Sequence, residues 1–153
     1  MKLAGWVLLA AGVGFLGATL DAMAQPQNCP PTRRDAEGPF YQPNAPVRAV
    51  IGQGLVVTGT VRSTKGCAPI PRAQIEWWQA NPRGEYDDTH RARMEADGSG
   101  GYRFETSFPG SYPGRPPHLH IKVLAPGHRP LTTQLYPRPG QSQISFDFVL
   151  VPE

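Results

Sequence analysis

The chain has 153 residues and a formal net charge of +3, from 15 basic and 12 acidic side chains. The basic residues are dispersed, with neither a Lys/Arg cluster interleaved with aromatics nor a basic amphipathic helix, which argues against nucleic-acid binding and a membrane-surface function. After removal of a leader, the length suits one domain with a real core and is too short for two.

The chain begins with the pattern of a secretory signal peptide. Lys2 is followed by an apolar run over residues 3–20 and by the small-residue sequence "AMA", which predicts cleavage after Ala24. A retained membrane anchor is the alternative, because about eighteen apolar residues can almost span a bilayer. The glycines within the run and the Ala-x-Ala pattern favour cleavage. We therefore expect a signal peptide over 1–24, a mature domain over 25–153, export to the periplasm or the medium, and no stable membrane anchor.

Two cysteines, Cys29 and Cys67, lie in the predicted mature domain. Disulfides persist in the compartments to which a signal peptide leads, so we expect the two cysteines to pair. Closing a loop of about forty residues would stabilise the fold by roughly 4 kcal/mol in the chain-entropy model.

After the leader, the chain consists of short segments rich in β-branched and aromatic residues, each bounded by Gly, Pro, Asn or Asp. No segment after residue 25 carries an apolar repeat of 3.6 residues that is long enough for a helix. The pattern predicts an all-β fold, an antiparallel β-sandwich with long loops rich in Gly and Pro. The predicted strands are 55–61, 73–79, 101–106, 118–124, 131–136 and 144–150.

The predicted strand "HLHIKVL" carries two histidines one residue apart. Side chains alternate between the two faces of a strand, so Leu119, Ile121 and Val123 would face the core while His118 and His120 share the opposite face. That face is either open to water, or it presents two imidazole nitrogens to one metal ion.

Two tyrosines in turns are candidate partners of these histidines: Tyr112, shortly before His118, and Tyr86 in "PRGEYDD". Phenolate is a hard anionic donor, so two phenolates and two imidazoles would favour a hard trivalent ion such as Fe(III) over Zn(II) or Cu(I). Tyrosines in turns also serve as packing residues whose hydroxyl makes one hydrogen bond. The residues alone leave both interpretations open.

Longer segments around these residues add to the pattern. They are "EGPFYQPNAPVR" (37–48), "GCAPIPRAQIEWWQANPRGEYDD" (66–88), "GYRFETSFPGSYPGRPPHLHIKV" (101–123) and "TTQLYP" (132–137). Together they resemble the successive signatures of the intradiol ring-cleavage dioxygenases, in order over nearly the whole mature chain. The resemblance implies a non-haem Fe(III) enzyme that cleaves a catechol ring between its two hydroxylated carbons. Both atoms of O2 would enter a muconate-type dicarboxylate.

The resemblance also implies roles for individual residues. By position, Tyr86 and Tyr112 match the phenolate ligands of the iron, and His118 and His120 match the imidazole ligands. Tyr112 corresponds to the ligand that leaves the metal and takes a proton from the substrate. Arg115 corresponds to the active-site arginine, whose permanent charge would stabilise negative charge developing on the substrate.

Two further pocket residues are expected. Tyr41 would line the pocket mouth, and Gln134 would form a hydrogen bond near the metal. The span "YPGRPPH" over residues 112–118 is shorter than in the best-known cytoplasmic members and is similar to the secreted branch of the family. This departure leaves the ligand set intact but leaves the particular catechol undefined.

Two other functions compete with this one. A non-catalytic β-sandwich module of the transthyretin or carboxypeptidase-regulatory type would show a similar strand pattern, but such modules lack the set of Tyr, Arg and His-x-His. A zinc hydrolase would need a general base such as Glu76 beside the histidines. The expected partners are therefore Fe(III), O2 and a small-molecule catechol, and not nucleic acid.

Overall fold

Eight β-strands make up the regular structure of residues 29–153, the part of the chain that the computed structural model describes. The predicted signal peptide over 1–24 lies outside these residues, so its cleavage stays a prediction. No helix in the described part is long and apolar enough to span a membrane. The strands are β1 Leu55–Ser63, β2 Gln74–Ala80, β3 Tyr86–Glu95, β4 Gly101–Thr106, β5 Leu119–Leu124, β6 Leu131–Leu135, β7 Gln143–Ser145 and β8 Phe148–Leu150.

The strands form two sheets of four strands each. The order in the second sheet is β3-β2-β5-β6, and all neighbours in it are antiparallel. In the first sheet β1 is central and pairs antiparallel with β4 but parallel with β7 and β8. The predicted all-β sandwich is confirmed, and the parallel pairs differ from the purely antiparallel expectation. The connection over 136–142 carries the chain between the sheets, and such a crossover, unlike a hairpin, permits parallel pairing.

The predicted strand over 144–150 is divided into β7 and β8 by a break opposite Gly59. A Cβ at Gly59 would lie 1.7 Å from the carbonyl oxygen of Phe146, so glycine is required for this close approach. At the break, the backbone amide of Thr60 donates to the Asp147 carboxylate at 2.8 Å. Between β7 and β8, a side-chain carboxylate therefore accepts the hydrogen bond that a backbone carbonyl would accept in a continuous strand pair.

The core lies between the sheets and is centred on Trp77 of β2. Its indole stacks on the Phe104 ring of β4 at 4.4 Å between centroids, and the Phe148 ring of β8 packs against it at 5.9 Å. The inward-facing side chains predicted for β5, Ile121 among them, are buried in the same cluster. One face of β2 and β5 packs against the core, so the polar side chains of these two strands lie on the opposite face.

β3 is a strand that the sequence pattern did not predict. Its segment "YDDTHRARME" is charged, and within it only Ala92 is buried, which is typical of an edge strand protected by charge. The register between β2 and β3 shifts between Trp78 and Ala80, so that Ala80 pairs with Tyr86. This irregularity places Tyr86 at the start of β3, next to β2.

The N-terminal arm, residues 29–41, connects the two sheets and ends over the outer face of β2 and β5. A disulfide joins Cys29 to Cys67, in the loop that follows β1. Backbone hydrogen bonds then link the arm to β8 through Thr32 and to β6 through Asp35. The arm is thus tied covalently to one sheet and packed on the other.

We predict that loss of the Cys29–Cys67 disulfide lowers the free energy of unfolding by up to about 4 kcal/mol, because it joins residues 38 positions apart. Denaturant unfolding of Cys29→Ser measures this loss. Thiol titration of the unfolded, unreduced protein should detect no free cysteine. Two reactive thiols per chain would contradict the pairing.

Candidate metal centre

The outer face of β5 is buried although it carries polar side chains. His118 and His120 are each 1% exposed. Trp78 of β2 stacks on the His120 ring at 5.0 Å between centroids, with an angle of 7° between the planes. Gly38 of the arm approaches the other side so closely that a Cβ there would lie 3.1 Å from Cε1 of His120. The two histidines are therefore removed from bulk solvent, and the alternative of a water-facing strand is wrong.

Three donor atoms from distant parts of the chain converge at this face. The Nε2 atoms of His118 and His120 lie 3.0 Å apart, and the Tyr86 hydroxyl lies 3.0 Å from the second and 3.5 Å from the first. Ligands about 2.0–2.1 Å from one metal ion lie about 3 Å from each other. No group of three His, Cys, Asp or Glu side chains in residues 29–153 could hold a metal, so the centre depends on its tyrosines.

Tyr112, the fourth predicted ligand, lies beside these three donors. Its ring centroid is 5.9 Å from that of Tyr86 and 5.8 Å from that of His118. The backbone amide of Arg115 donates to the Tyr112 carbonyl at 2.9 Å, which closes the turn that presents both side chains. Burial, and then the neighbouring Tyr112, raise the pKa of Tyr86. Ionisation of Tyr86 therefore requires a strong positive charge nearby.

Both imidazoles are held in the neutral form that metal binding needs. Nδ1 of His118 donates to the carbonyl of Pro116 at 2.7 Å, which leaves its Nε2 as a free acceptor. Burial, followed by the repulsion that a protonated His118 and the Arg115 guanidinium would exert, lowers the pKa of His120 to about 3. Within the described residues, Nδ1 of His120 is buried without a hydrogen bond of good geometry, and a weak hydrogen bond to the Ala36 backbone only partly offsets the lowering of the pKa.

Arg115 lies at the edge of the centre, in contact with the predicted residue Gln134. Its Nη2 donates to Gln134 Oε1 at 2.6 Å and to the Tyr136 hydroxyl at 3.3 Å. Gln134 is paired opposite His120 between β5 and β6, and its amide donates to the Ala36 carbonyl at 2.6 Å. Gln134 therefore joins the arm, Arg115 and the strand next to the histidines.

Residues 36–151 match the family model described as Dioxygenase. The chain is 32% identical over 139 residues to chlorocatechol 1,2-dioxygenase from Pseudomonas sp. (strain P51), and 31% identical over 156 residues to hydroxyquinol 1,2-dioxygenase from Corynebacterium glutamicum. The chain belongs to the intradiol dioxygenase family. The two alignments cover 69% and 79% of this chain but 55% and 52% of the relatives, so the chain spans about half the length of the curated relatives it matches.

Solved structures share the architecture of this intradiol dioxygenase domain. One is the dioxygenase domain of a dioxygenase carbohydrate-binding protein fusion from Streptomyces sp. SirexAA-E. It matches with a TM-score of 0.73 and 30% identity, over 81% of this chain and 100% of that one. Wild-type catechol 1,2-dioxygenase from Acinetobacter radioresistens matches with a TM-score of 0.70 and 27% identity, over 82% of this chain and 64% of that one.

Tyr41 of the dioxygenase domain lies over the same outer face of β2 and β5, but its hydroxyl is directed at Glu76 and not at the donor atoms. Its hydroxyl donates to Glu76 Oε2 at 2.9 Å, its ring packs against Trp78, and Lys122 Nζ lies 3.7 Å from the ring centroid. Glu76 also accepts from the Gln74 side chain and is buried. Both Glu76 oxygens are thus engaged, so the structure offers no support for Glu76 as the general base of a zinc hydrolase.

Three aromatic neighbours of the centre were not predicted from the sequence. Phe40 stacks on Tyr86 at 4.2 Å between centroids, and the Tyr136 ring lies 5.7 Å from that of His118. The third is Trp78, which pairs opposite His120 in the β2–β5 ladder. Alternation along "IEWWQ" places Trp78 on the face opposite the core, and this was the available signal. Phe40 lies in a loop and carries no such periodicity, whereas alternation along the predicted strand 131–136 places Tyr136 on the same face as Gln134.

We predict that Gly38→Ala destabilises the protein more than Gly127→Ala does. Both glycines have positive φ, +74° and +69°, so each alanine costs about 1 kcal/mol of backbone strain. Only the Cβ at position 38 would press on the His120 ring, since nothing lies within 4 Å of a Cβ at Gly127. Denaturant unfolding should show an additional loss of roughly 1 kcal/mol for Gly38→Ala. The His120 ring signals in NMR spectra should shift in that variant alone, and equal losses with unmoved signals would contradict the contact.

Proposed function

We propose that this domain is an Fe(III)-dependent intradiol dioxygenase that cleaves a catechol-type ring between its two hydroxylated carbons. Both atoms of O2 enter the product, a muconate-type dicarboxylic acid. The observation that carries the proposal is the convergence of Tyr86, His118 and His120 at the spacing of metal ligands, with Tyr112 beside them. The relatives named as chlorocatechol and hydroxyquinol 1,2-dioxygenases support the reaction type.

The donor set fits Fe(III) better than other common metals. Two phenol oxygens and two imidazoles suit a hard trivalent ion, whereas the softer Cu(I) and Zn(II) sites commonly use thiolate. Because burial raises the pKa of Tyr86, its phenolate would be stable only beside a strong cation. When bound, iron would supply the electron-withdrawing centre that makes a catecholate reactive toward O2.

We assign different tasks to the two tyrosines because their surroundings differ. Tyr86 begins β3 and is stacked on Phe40, which holds its hydroxyl beside the histidines. Tyr112 lies in a turn flanked by Gly110 and Gly114 and meets Phe40 only edge-on, at 6.1 Å between centroids, so its phenol oxygen has more freedom to move. The Tyr112 Oη is therefore the atom that would accept a proton from the catechol.

Arg115 would stabilise negative charge on the substrate while the ring is attacked. Arginine stays protonated at any working pH, and its contacts with Gln134 and Tyr136 hold the guanidinium in place. Its charge also contributes, after the larger effect of burial, to the lowered pKa values of His118 and His120. A charge held in place by the protein is effective because it need not reorganise during the reaction.

A non-catalytic binding module explains the centre less well. Burying polar groups is costly unless they find partners, and within residues 29–153 the two imidazole Nε2 atoms, 3.0 Å apart, share only the Tyr86 hydroxyl as a further hydrogen-bonding neighbour. A metal would satisfy all three groups at once.

We also propose that the protein is exported and that residues 1–24 are its signal peptide. The apolar run with its Ala-x-Ala pattern supports this. The Cys29–Cys67 disulfide adds support, because disulfides persist chiefly in oxidising compartments.

We predict that the iron-loaded protein is red to burgundy. Phenolate bound to Fe(III) gives a charge-transfer band in the visible, which histidine and carboxylate ligands alone do not produce. Tyr86→Phe and Tyr112→Phe should each perturb the band, and His118→Ala and His120→Ala should weaken iron retention. Tyr41→Phe is the matched control and should leave the band unchanged. A colourless protein that retains zinc or no metal after iron loading would contradict the ligand set.

We predict that Arg115→Ala keeps its iron and loses turnover of catechol by about a hundredfold, the usual cost of one electrostatic contact made in the transition state. Metal analysis and O2 uptake test the two parts separately. Arg138→Ala, a change to an exposed arginine in the turn before β7, is the control. An iron-free Arg115→Ala protein, or one as active as its parent, would show that the role is wrong.

A further inference from the structure

Two adjoining cavities run along the N-terminal arm beside β6. One, of about 520 Å³, lies between the arm, the start of β6 and β8. The other, of about 360 Å³, lies between the arm, the end of β6 and Phe146. Both are lined by Thr32, Arg33 and Arg34, and we name the two cavities together the arm groove.

The arm groove has an excess of positive charge. Arg33 and Arg34 line both cavities and Arg129 lines the first, and none of these three arginines has an ion-pair partner within residues 29–153. The Arg34 guanidinium donates to the Pro130 carbonyl at 2.5 Å. Asp35 is the one carboxylate that lines either cavity in the described chain. The groove is therefore suited to an anion.

Its walls also offer apolar and aromatic surface. Leu131 and Leu150 line the first cavity, and Phe146 and Tyr136 line the second. Tyr136 is 47% exposed, which is unusual for a large ring that packs beside buried residues. Aromatic walls with unpaired guanidinium groups at the rim favour a ligand that is partly apolar and carries a carboxylate.

The second cavity adjoins the candidate metal centre. The Tyr136 ring lies 5.7 Å from the His118 ring, and the Tyr136 hydroxyl accepts from Arg115. Gln134, which lines the same cavity, also accepts from Arg115. A molecule held at the metal centre beside Arg115 would therefore have the arm groove next to it.

We propose that the arm groove is a subsite for an acidic side chain of the substrate, so that this protein acts on catechols carrying an aliphatic or aromatic tail that ends in a carboxylate. This inference rests on the proposed function. A carboxylate bonded directly to the catechol ring would remain beside Arg115, because Arg33 lines both cavities whereas Arg115 lines neither. The tail must therefore extend several bonds from the ring.

The test compares 3-(3,4-dihydroxyphenyl)propionate with its methyl ester, which lacks the negative charge and carries one additional methyl group. The iron-loaded protein should have the higher kcat/KM on the acid at low ionic strength. Arg33→Gln should reduce the acid-to-ester ratio about threefold to fivefold, as expected for one exposed charge pair. Arg138→Gln removes an equally exposed arginine that lines neither cavity and should leave the ratio unchanged. For 3,4-dihydroxybenzoate and its methyl ester, the acid-to-ester ratio of kcat/KM should be the same in Arg33→Gln as in the parent protein.

A second measurement is independent of turnover. The dissociation constants of 3-phenylpropionate and its methyl ester, measured by NMR titration, should favour the acid, and Arg33→Gln should weaken binding of the acid alone. Cleavage of acid and ester with equal kcat/KM, or a ratio insensitive to Arg33→Gln, would overturn the subsite and leave the proposed function standing. Failure to cleave either catechol would overturn the proposed function, and the subsite assignment with it.

Discussion

Two imidazole rings buried with their Nε2 atoms 3.0 Å apart are the constraint on which the rest of the site depends. Neither nitrogen reaches water, and the rings cannot turn away. His118 is held through Nδ1 by the Pro116 carbonyl, and His120 is held between Trp78 and Gly38. Such an arrangement is costly without a ligand that both nitrogens can share, so the surroundings of the pair are best understood as a means of keeping it in place.

The N-terminal arm provides most of that support. Glu37 forms an ion pair with Lys122 at 2.5 Å, and the Tyr41 hydroxyl donates to buried Glu76, so the end of the arm is held on the outer face of β2 and β5. Its start is held by the Cys29–Cys67 disulfide, and Cys67, the nearer of the two cysteines, is 51 residues before His118 in the sequence. The arm thereby excludes water from the histidines and also forms one wall of the groove beside Arg115. The N-terminal arm therefore both shields the histidines from solvent and shapes the surface next to them.

Much of the sandwich followed from local patterns, since β-branched and aromatic runs between turn residues marked β1, β2, β4, β5 and β6 to within two residues at each end. β3 did not follow, because an edge strand buries almost nothing and is protected by charge rather than by apolar alternation. The break between β7 and β8 did not follow either. It arises from the contact between Gly59 and the carbonyl of Phe146, which lies 87 residues later in the sequence.

The sequence by itself determined which donor groups this protein can offer. It supplied two imidazoles on one face of a strand, tyrosines in the flanking turns, an arginine beside them and two cysteines. The tertiary structure alone decided that these donors converge. The Tyr86 hydroxyl reaches His120, 34 residues later, only through the register shift between β2 and β3 and the pairing of β2 with β5. Burial was decided in the same way, because periodicity shows which side chains share a face but not what will cover that face.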